Sequence, residues 1–247
     1  MIRSRANIRV GTAGWTIPTD AQAAFPQSGT HLERYAEVFD GAEINSSFHR
    51  PHRRSTYQRW AASVPDHFRF SVKVPKEITH KRRLKDSEPL LDSLLAEVSG
   101  LGHKLGPLLF QLPPSFAFEQ ATAERFLTEL RHRVAGPVTF EPRHPSWFAP
   151  EPEELFATFA IARTAADPPC VPSAAQPGLW HGLRYARLHG SPKVYHSTYG
   201  DEVIRSVVEA LCADDGEIAE RWCIFDNTAS GAATQNALTA VALIASC

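Results

Sequence analysis

Short apolar and β-branched runs recur along this chain with longer, helix-patterned segments between them, and that alternation limits its folds to very few. The runs are IRVGT at 8–12, AEIN at 42–45, FRFSVKV at 68–74, LLFQL at 108–112, VTFE at 138–141, IARTAA at 161–166, LRYARLH at 183–189 and WCIFDN at 222–227. Eight strands alternating with helices over 247 residues is the anatomy of a TIM (β/α)8 barrel, expected here as a single domain over 1–247. A doubly wound open sheet is the alternative, because alternation alone does not show closure. The glycine-rich dinucleotide fingerprint is missing, since GTAG at 11–14 has two glycines at the wrong spacing.

The intervening segments read as helices. HLERYAEVF (31–39) places Leu32, Tyr35, Ala36 and Phe39 on one stripe, and STYQRWAASV (55–64) opens with Ser55 as a candidate N-cap. Residues 87–102 are periodic and end in glycine. The segments EQATAERFLTELRHRV, PEELFATFA, DEVIRSVVEALCA and AATQNALTAVALIA supply four more. The gap after the sixth run, DPPCVPSAAQPGLWHG, has too much proline and glycine for a regular helix, so that crossover is expected to be irregular.

Composition matters here for what it excludes. With 43% hydrophobic and 21% charged residues the chain can build a core, and a formal net charge of −1 gives no bulk attraction to nucleic acid or membranes. The start MIRSRAN lacks the apolar stretch of a secretory signal, and ALTAVALIAS is too short to span a bilayer, so a soluble, cytoplasmic protein is expected. Cys170, Cys212, Cys223 and Cys247 have neither CxxC nor metal-ligand spacing and read as inert thiols.

In a barrel, chemistry belongs at the C-terminal strand ends. The period of two puts Glu43 and Asn45 on one face of the second run, Ser71 and Lys73 on one face of the third, and Tyr185, Arg187 and His189 on one face of the seventh. With helices covering the outside, these polar faces turn inward and are joined by Gln111, Glu141, Asp167, Asp226 and Asn227 at other strand ends. Such a set is costly to bury unless paired or used. One reading is a ligand or catalytic site; the other is a structural salt-bridge network. His80, His144 and His189 could join the carboxylates as metal ligands, but no HxH or HExxH spacing supports that, and no metal or cofactor is expected.

Two further signals involve anions. The loops FHRPHRRS (48–55) and ITHKRRLKD (78–86) follow adjacent strands and hold Arg50, Arg53, Arg54, Lys81, Arg82, Arg83 and Lys85. Such a patch beside the pocket attracts phosphate or another polyanion, although charge runs are also simply solvated. DNTASGAATQNA (226–237) is a small-residue turn entering a helix, where backbone amides can hold phosphate or merely begin a helix.

Several of these stretches occur together and in order: GTAGW (11–15), FDGAEINSSFHR (39–50), FSVKVPKEITH (70–80), KLGPLLFQLPPSF (104–116), FEPRHPSW (140–147), RLHG (187–190) and FDNTASGAATQNA (225–237). Nearly end to end, the chain resembles domain-of-unknown-function family 72, the YecE-like proteins. The resemblance implies a TIM barrel and no established activity. By motif it points to Trp15, Glu43, Asn45, Lys73, His80, Gln111, Glu141, Arg143, His144, Trp147, His189 and Asn227. The chain departs from the family at the loop after GTAGW, at His49 where the family has tyrosine, and at Asp226 where it has an amide.

The leading expectation is an enzyme, with hydrolysis favoured, acting on a small phosphorylated or otherwise anionic substrate. Glu43 or Glu141 would serve as base with His80, His144 or His189 as acid; Lys73, Arg143 and Arg187 would neutralise substrate charge. Trp15 and Trp147 would form stacking walls, and Asn45, Arg50, Gln111, Asp226 and Asn227 would bind substrate. The rival is a non-catalytic protein binding nucleic acid or another polyanion through residues 50–54 and 81–85. Oligomeric state is left open.

Overall fold

A computed structural model describes residues 8–213 and 218–246; the basic start of the chain and Cys247 lie outside them. Nine parallel strands are found among the described residues: β1 (Ile8–Thr12), β2 (Gly41–Ile44), β3 (Arg69–Lys73), β4 (Leu105–Gln111), β5 (Val138–Glu141), β6 (Ala162–Arg163), β7 (Ala165–Asp167), β8 (Leu183–Leu188) and β9 (Glu220–Phe225). They form two sheets, ordered β1-β9-β8-β7 and β2-β3-β4-β5-β6. Helices α1 (His31–Ala36), α2 (Arg54–Ala62), α3 (Glu88–Val98), α4 (Gln120–Arg133), α5 (Pro150–Thr158), α6 (Asp201–Cys212) and α7 (Ala232–Ile244) connect them. Among the described residues, no helix is long and apolar enough to cross a membrane.

The sheets meet at two seams. Ala13 bridges Glu43 in parallel, and the Gly14 N–H donates to the Glu43 carbonyl at 2.8 Å. At the other seam, the single expected strand at 161–166 is divided. Its first half pairs with β5 and its second half with β8, while the Thr164 N–H between them donates to the Phe140 carbonyl at 2.7 Å. The reason is stagger: the neighbours on its two sides are offset along the strand direction, so no residue pairs with both.

Alternation sorts the strand residues as their pattern predicts. Phe70, Val72, Val138 and Phe140 join the main apolar core, while a smaller cluster containing Leu183, Tyr185, Trp222 and Ile224 lies against the inner faces. The Trp222 indole from one sheet reaches Gly41 and Gly106 of the other, where an added Cβ would come within 2.9 Å of the ring. Trp222 thus holds the two inner faces together only because both opposing positions are glycine.

Gly11 allows a closer approach still. A Cβ there would lie 2.0 Å from the Gly41 carbonyl oxygen and 3.0 Å from the Tyr35 hydroxyl. That buried hydroxyl accepts from the Thr12 N–H at 2.7 Å, tying α1 to the β1–β2 seam. Because the nearest obstacle is backbone, Gly11→Ala is expected to cost about 3 kcal/mol. Thermal unfolding followed by circular dichroism checks this; a loss below about 1 kcal/mol would mean the seam separates freely.

Two local expectations are corrected. Helix α2 begins at Arg54 with Arg53 at the N-cap position and no side-chain cap, so Ser55 lies inside the first turn. The periodic stretch expected over 87–102 ends as a helix at Val98 and continues as 3-10 turns, with Gly102 at φ 55° and ψ −133° breaking the helical path. The crossover after β7 holds only a short 3-10 turn, Pro172–Ala175. Where a covering helix is absent, a cavity of about 640 Å³ opens between the β7–β8 surface and α6, lined by Ala166, Ala186, Val203 and Val207.

Candidate active site

Polar residues from both sheets converge at the C-terminal strand ends around Arg187, which is fully buried near the end of β8. Its Nε and Nη2 donate to Glu43 at 2.9 and 2.7 Å, a two-pronged contact that fits the planar guanidinium. Nη1 reaches Glu141 at 3.1 Å and Nη2 reaches Asp226 at 2.9 Å. Three carboxylates from β2, β5 and the end of β9 therefore share one cation. Burial opposes the charge on Arg187, but Asp226, Glu43 and Glu141 together raise its pKa well above the ordinary value.

His189 fills the gap between two of these acids. Its Nε2 is 2.9 Å from Glu141 and its Nδ1 is 3.0 Å from Asp226. Glu141 also accepts from Gln111 at 2.8 Å and from Arg143 Nε at 2.7 Å. Burial alone would raise Glu141, yet His189, Arg187 and Arg143 hold it well below the usual carboxylate range. Asp226 follows the same logic: burial raises it, but Arg187 and His189 outweigh burial and the net shift is downward. Both neighbours of Asp226 Oδ2 are nitrogens, of Arg187 and His189. Tyr185 completes the inner layer, donating to Glu43 at 3.0 Å and accepting from the Ser71 hydroxyl at 2.8 Å.

Lys73 ends β3 beside this network but outside its bonding. Its ammonium sits 4.3 Å from the centre of the Phe48 ring, and among the described residues no hydrogen bond or ion pair reaches it. Burial, with Arg187 next, lowers its pKa to about 8 against the opposing pull of Glu43, Asp226 and Glu141. His80 packs edge-on against Phe48, 5.0 Å between ring centres, and its Nδ1 lies 2.9 Å from the Thr79 hydroxyl. Burial, then Lys73 and Lys76, lowers the His80 pKa, leaving a neutral ring at pH 7 that can accept a proton.

The segment that carries His80 is irregular. A π-helical turn spans Glu77–Lys81, and Arg83, Leu84 and Asp86 follow with φ of 49°, 68° and 47°. Three non-glycine residues in the left-handed region form a strained backbone, of the kind that clusters where side chains must be held in place. Two amide oxygens add to the picture. Asn45 Oδ1 and Asn227 Oδ1 are buried without a hydrogen-bond partner. The other end of Asn227 is held by the Ser197 carbonyl and Asn236, both at 2.9 Å, so its buried oxygen is fixed in direction.

Other expected site residues lie elsewhere. Trp147 is 1% exposed, donates to the Phe116 carbonyl at 2.8 Å and stacks on Phe156, so it is a core side chain with no face for a ligand. His144 caps the short turn Pro145–Phe148, its Nδ1 accepting from the Ser146 N–H at 3.2 Å. Trp15 is half-buried against Trp60 and Phe70. Asp167 accepts from Tyr199 at 2.7 Å, and Tyr199 in turn accepts from the Gly190 N–H. Arg50 is exposed. The basic loops are partly neutralised within the fold: Lys81 pairs with Glu77 at 2.8 Å and Lys85 with Glu119 at 3.3 Å. The start of α7 is held by its own backbone, with the Ala233 N–H donating to the Asn227 carbonyl.

Pattern reading missed Phe48, Tyr195 and Tyr199. Phe48 was visible only as part of FHR, and Tyr195, which faces the His189 ring at 6.0 Å with φ 67°, lies in a loop with no periodicity. Among the described residues, no group of three or more His, Cys, Asp or Glu side chains is arranged to hold a metal ion.

A family model described as "Protein of unknown function DUF72" matches residues 9–246. The UPF0759 protein YecE of Escherichia coli K12 is 29% identical over 149 residues, covering 60% of this chain and 52% of YecE. The UPF0759 protein YunF of Bacillus subtilis 168 is 26% identical over 162 residues, covering 63% of this chain and 57% of YunF. The matched region thus spans little more than half the length of these curated relatives. Among solved structures, a DUF72 family protein from Enterococcus faecalis V583 superposes with a TM-score of 0.79 at 21% identity, covering 96% of this chain and 95% of that one. One from Thermotoga maritima MSB8 gives 0.78 at 22% identity, covering 96% and 99%. At these identities the structural likeness carries the α/β fold alone.

Proposed function

The chain belongs to the DUF72 family of proteins of unknown function, and from that premise we propose that it is an enzyme acting on a small phosphorylated or otherwise anionic substrate. The two parallel sheets act as one (β/α)8 barrel, with the Ala13–Glu43 bridge and the divided strand at 162–167 as its seams. The site lies at the C-terminal strand ends, with hydrolysis as the first reaction class to assay.

The observation that carries this reading is the unequal use of the cluster's charges. Glu43, Glu141 and Asp226 are all engaged with Arg187, whereas Lys73 is unpaired and the oxygens of Asn45 and Asn227 lack donors. A purely structural network would satisfy its own members. The roles expected from sequence are therefore redistributed. Glu141, saturated by Gln111, Arg143, His189 and Arg187, is a poor base and instead orients the two arginines. His80, neutral and half-buried, is the better proton acceptor. Arg143 directs Nε to Glu141 and Nη1 to the Pro168 carbonyl, leaving Nη2 to receive a substrate anion.

The test is a thermal-shift panel of phosphate, pyrophosphate, phosphorylated sugars and small carboxylates. At a hundredfold excess over its Kd, a true ligand should stabilise the wild type by about 2.7 kcal/mol, or about 5–10 °C in Tm. In Arg143→Met the shift should largely vanish. If no anion shifts the wild type more than the variant, the anion reading is wrong.

A further inference from the structure

We infer that Lys73 is the nucleophile of this site, an amine that condenses with the carbonyl carbon of a small anionic aldehyde or ketone to form an imine. The inference rests on the proposed location of the site and goes beyond it in the bond that is made.

The protein contains its own comparison. Lys104 is also buried, at 8% exposure, and its ammonium donates to the Ala61 and Val64 carbonyls at 2.8 and 2.7 Å. A lysine buried for structure thus has acceptors supplied. Lys73, at 5% exposure, sits against the Phe48 ring face and has no hydrogen-bond acceptor among the described residues. The nearby carboxylates Glu43, Glu141 and Asp226 act on it only through their field, their hydrogen bonds being made with Arg187, Tyr185, Gln111, Arg143 and His189. An unpaired ammonium held there is easily deprotonated, consistent with its pKa of about 8, so roughly a tenth is free amine at pH 7.

The chemistry balances without an oxidant or reductant. The Lys73 amine donates its lone pair to the carbonyl carbon, and the C=O π pair moves to oxygen. A proton passes from nitrogen to oxygen to give the carbinolamine. Protonation of that hydroxyl expels water, and the nitrogen lone pair closes the C=N bond, leaving a cationic imine. His80 shares the Phe48 ring with Lys73 and can take the proton that the Lys73 ammonium loses on becoming the free amine, then give it to the departing hydroxyl. Arg143 Nη2 would hold the substrate's carboxylate or phosphate.

Reductive trapping tests this directly. Full-length protein is incubated with sodium cyanoborohydride and pyruvate, glyoxylate or dihydroxyacetone phosphate, then analysed by intact mass and peptide mapping. The expected result is a single reduced adduct on Lys73, forming on the order of tenfold faster than on exposed Lys76, Lys81 or Lys85. Its rate should rise with pH around a midpoint of about 8. Lys73→Arg should form no fast adduct, and because the wild-type peptide map carries its own exposed-lysine controls, the result does not depend on that variant folding. Labelling of exposed lysines at the same rate as Lys73, or an unlabelled Lys73, overturns the inference. The two proposals fail separately. Anion-induced stabilisation without Lys73 labelling removes the imine and keeps the anion site. Fast labelling by neutral propanal, unchanged in Arg143→Met, keeps the imine and removes the anion site.

Discussion

Arg187→Leu should cost about 3–5 kcal/mol at pH 7.5, the usual penalty for removing one partner of a buried ion pair. The mechanism is specific: Glu43, Glu141 and Asp226 would remain in the interior without the guanidinium that they share. Against a typical total stability of about 5–15 kcal/mol, that is a large fraction, equivalent to a fall in Tm of about 6–20 °C. The pH dependence should also reverse. In the wild type, Glu141 and Asp226 have lowered pKa values, so their contribution is present above the unfolded carboxylate pKa and fades as pH falls through the folded one. Without Arg187 the carboxylates gain protons readily, their folded pKa values lie above the unfolded ones, and acidification relieves the strain. Urea unfolding at pH 5 and pH 7.5 should therefore find the variant's deficit smaller at pH 5, and Glu43→Gln should recover part of it at pH 7.5. A deficit below about 1 kcal/mol at both pH values would mean that water or rearrangement, not Arg187, compensates the three acids.

That hub was only half legible in the sequence. Period-two alternation put Glu43, Lys73, Tyr185, Arg187 and His189 on shared strand faces, and all five are buried, with Ile44, Val72 and Leu188 of the alternate positions in the main apolar core. Which residue would be central was not legible. Pairing depends on the stagger between strands from two sheets, and Arg187 lies 144 positions from Glu43 along the chain. Local clustering misled where it was strongest. FEPRHPSW looked like one functional wall, yet its residues divide by direction: Glu141 and Arg143 enter the cluster, His144 caps a turn, and Trp147 turns back into the core against Phe156. An indole beside charged residues carries no sign of which way it points. Phe48 illustrates the converse, since an ordinary aromatic gained its importance only when folding set it beneath Lys73.

Lys73→Met should make the protein more stable at neutral pH while abolishing the fast adduct. The Lys73 pKa falls from 10.5 to about 8 on folding. Between these values the folded protein binds fewer protons than the unfolded chain, so stability rises with pH across that window. Below pH 8 the ammonium carries its full cost, which for a displacement of this size is about 3 kcal/mol. Above about pH 10.5 both states hold a neutral amine and the cost disappears. Methionine has a similar length, can keep the contact with Phe48 and has no charge to bury. Denaturant unfolding at pH 7 and pH 10 should therefore find the variant ahead by up to about 3 kcal/mol at pH 7 and by much less at pH 10. A site that trades stability for reactivity predicts this sign, and a lysine placed for structure predicts the opposite. If Lys73→Met is instead destabilised at pH 7, the ammonium is a stabilising partner of the carboxylates, and its role as a free amine falls with that result.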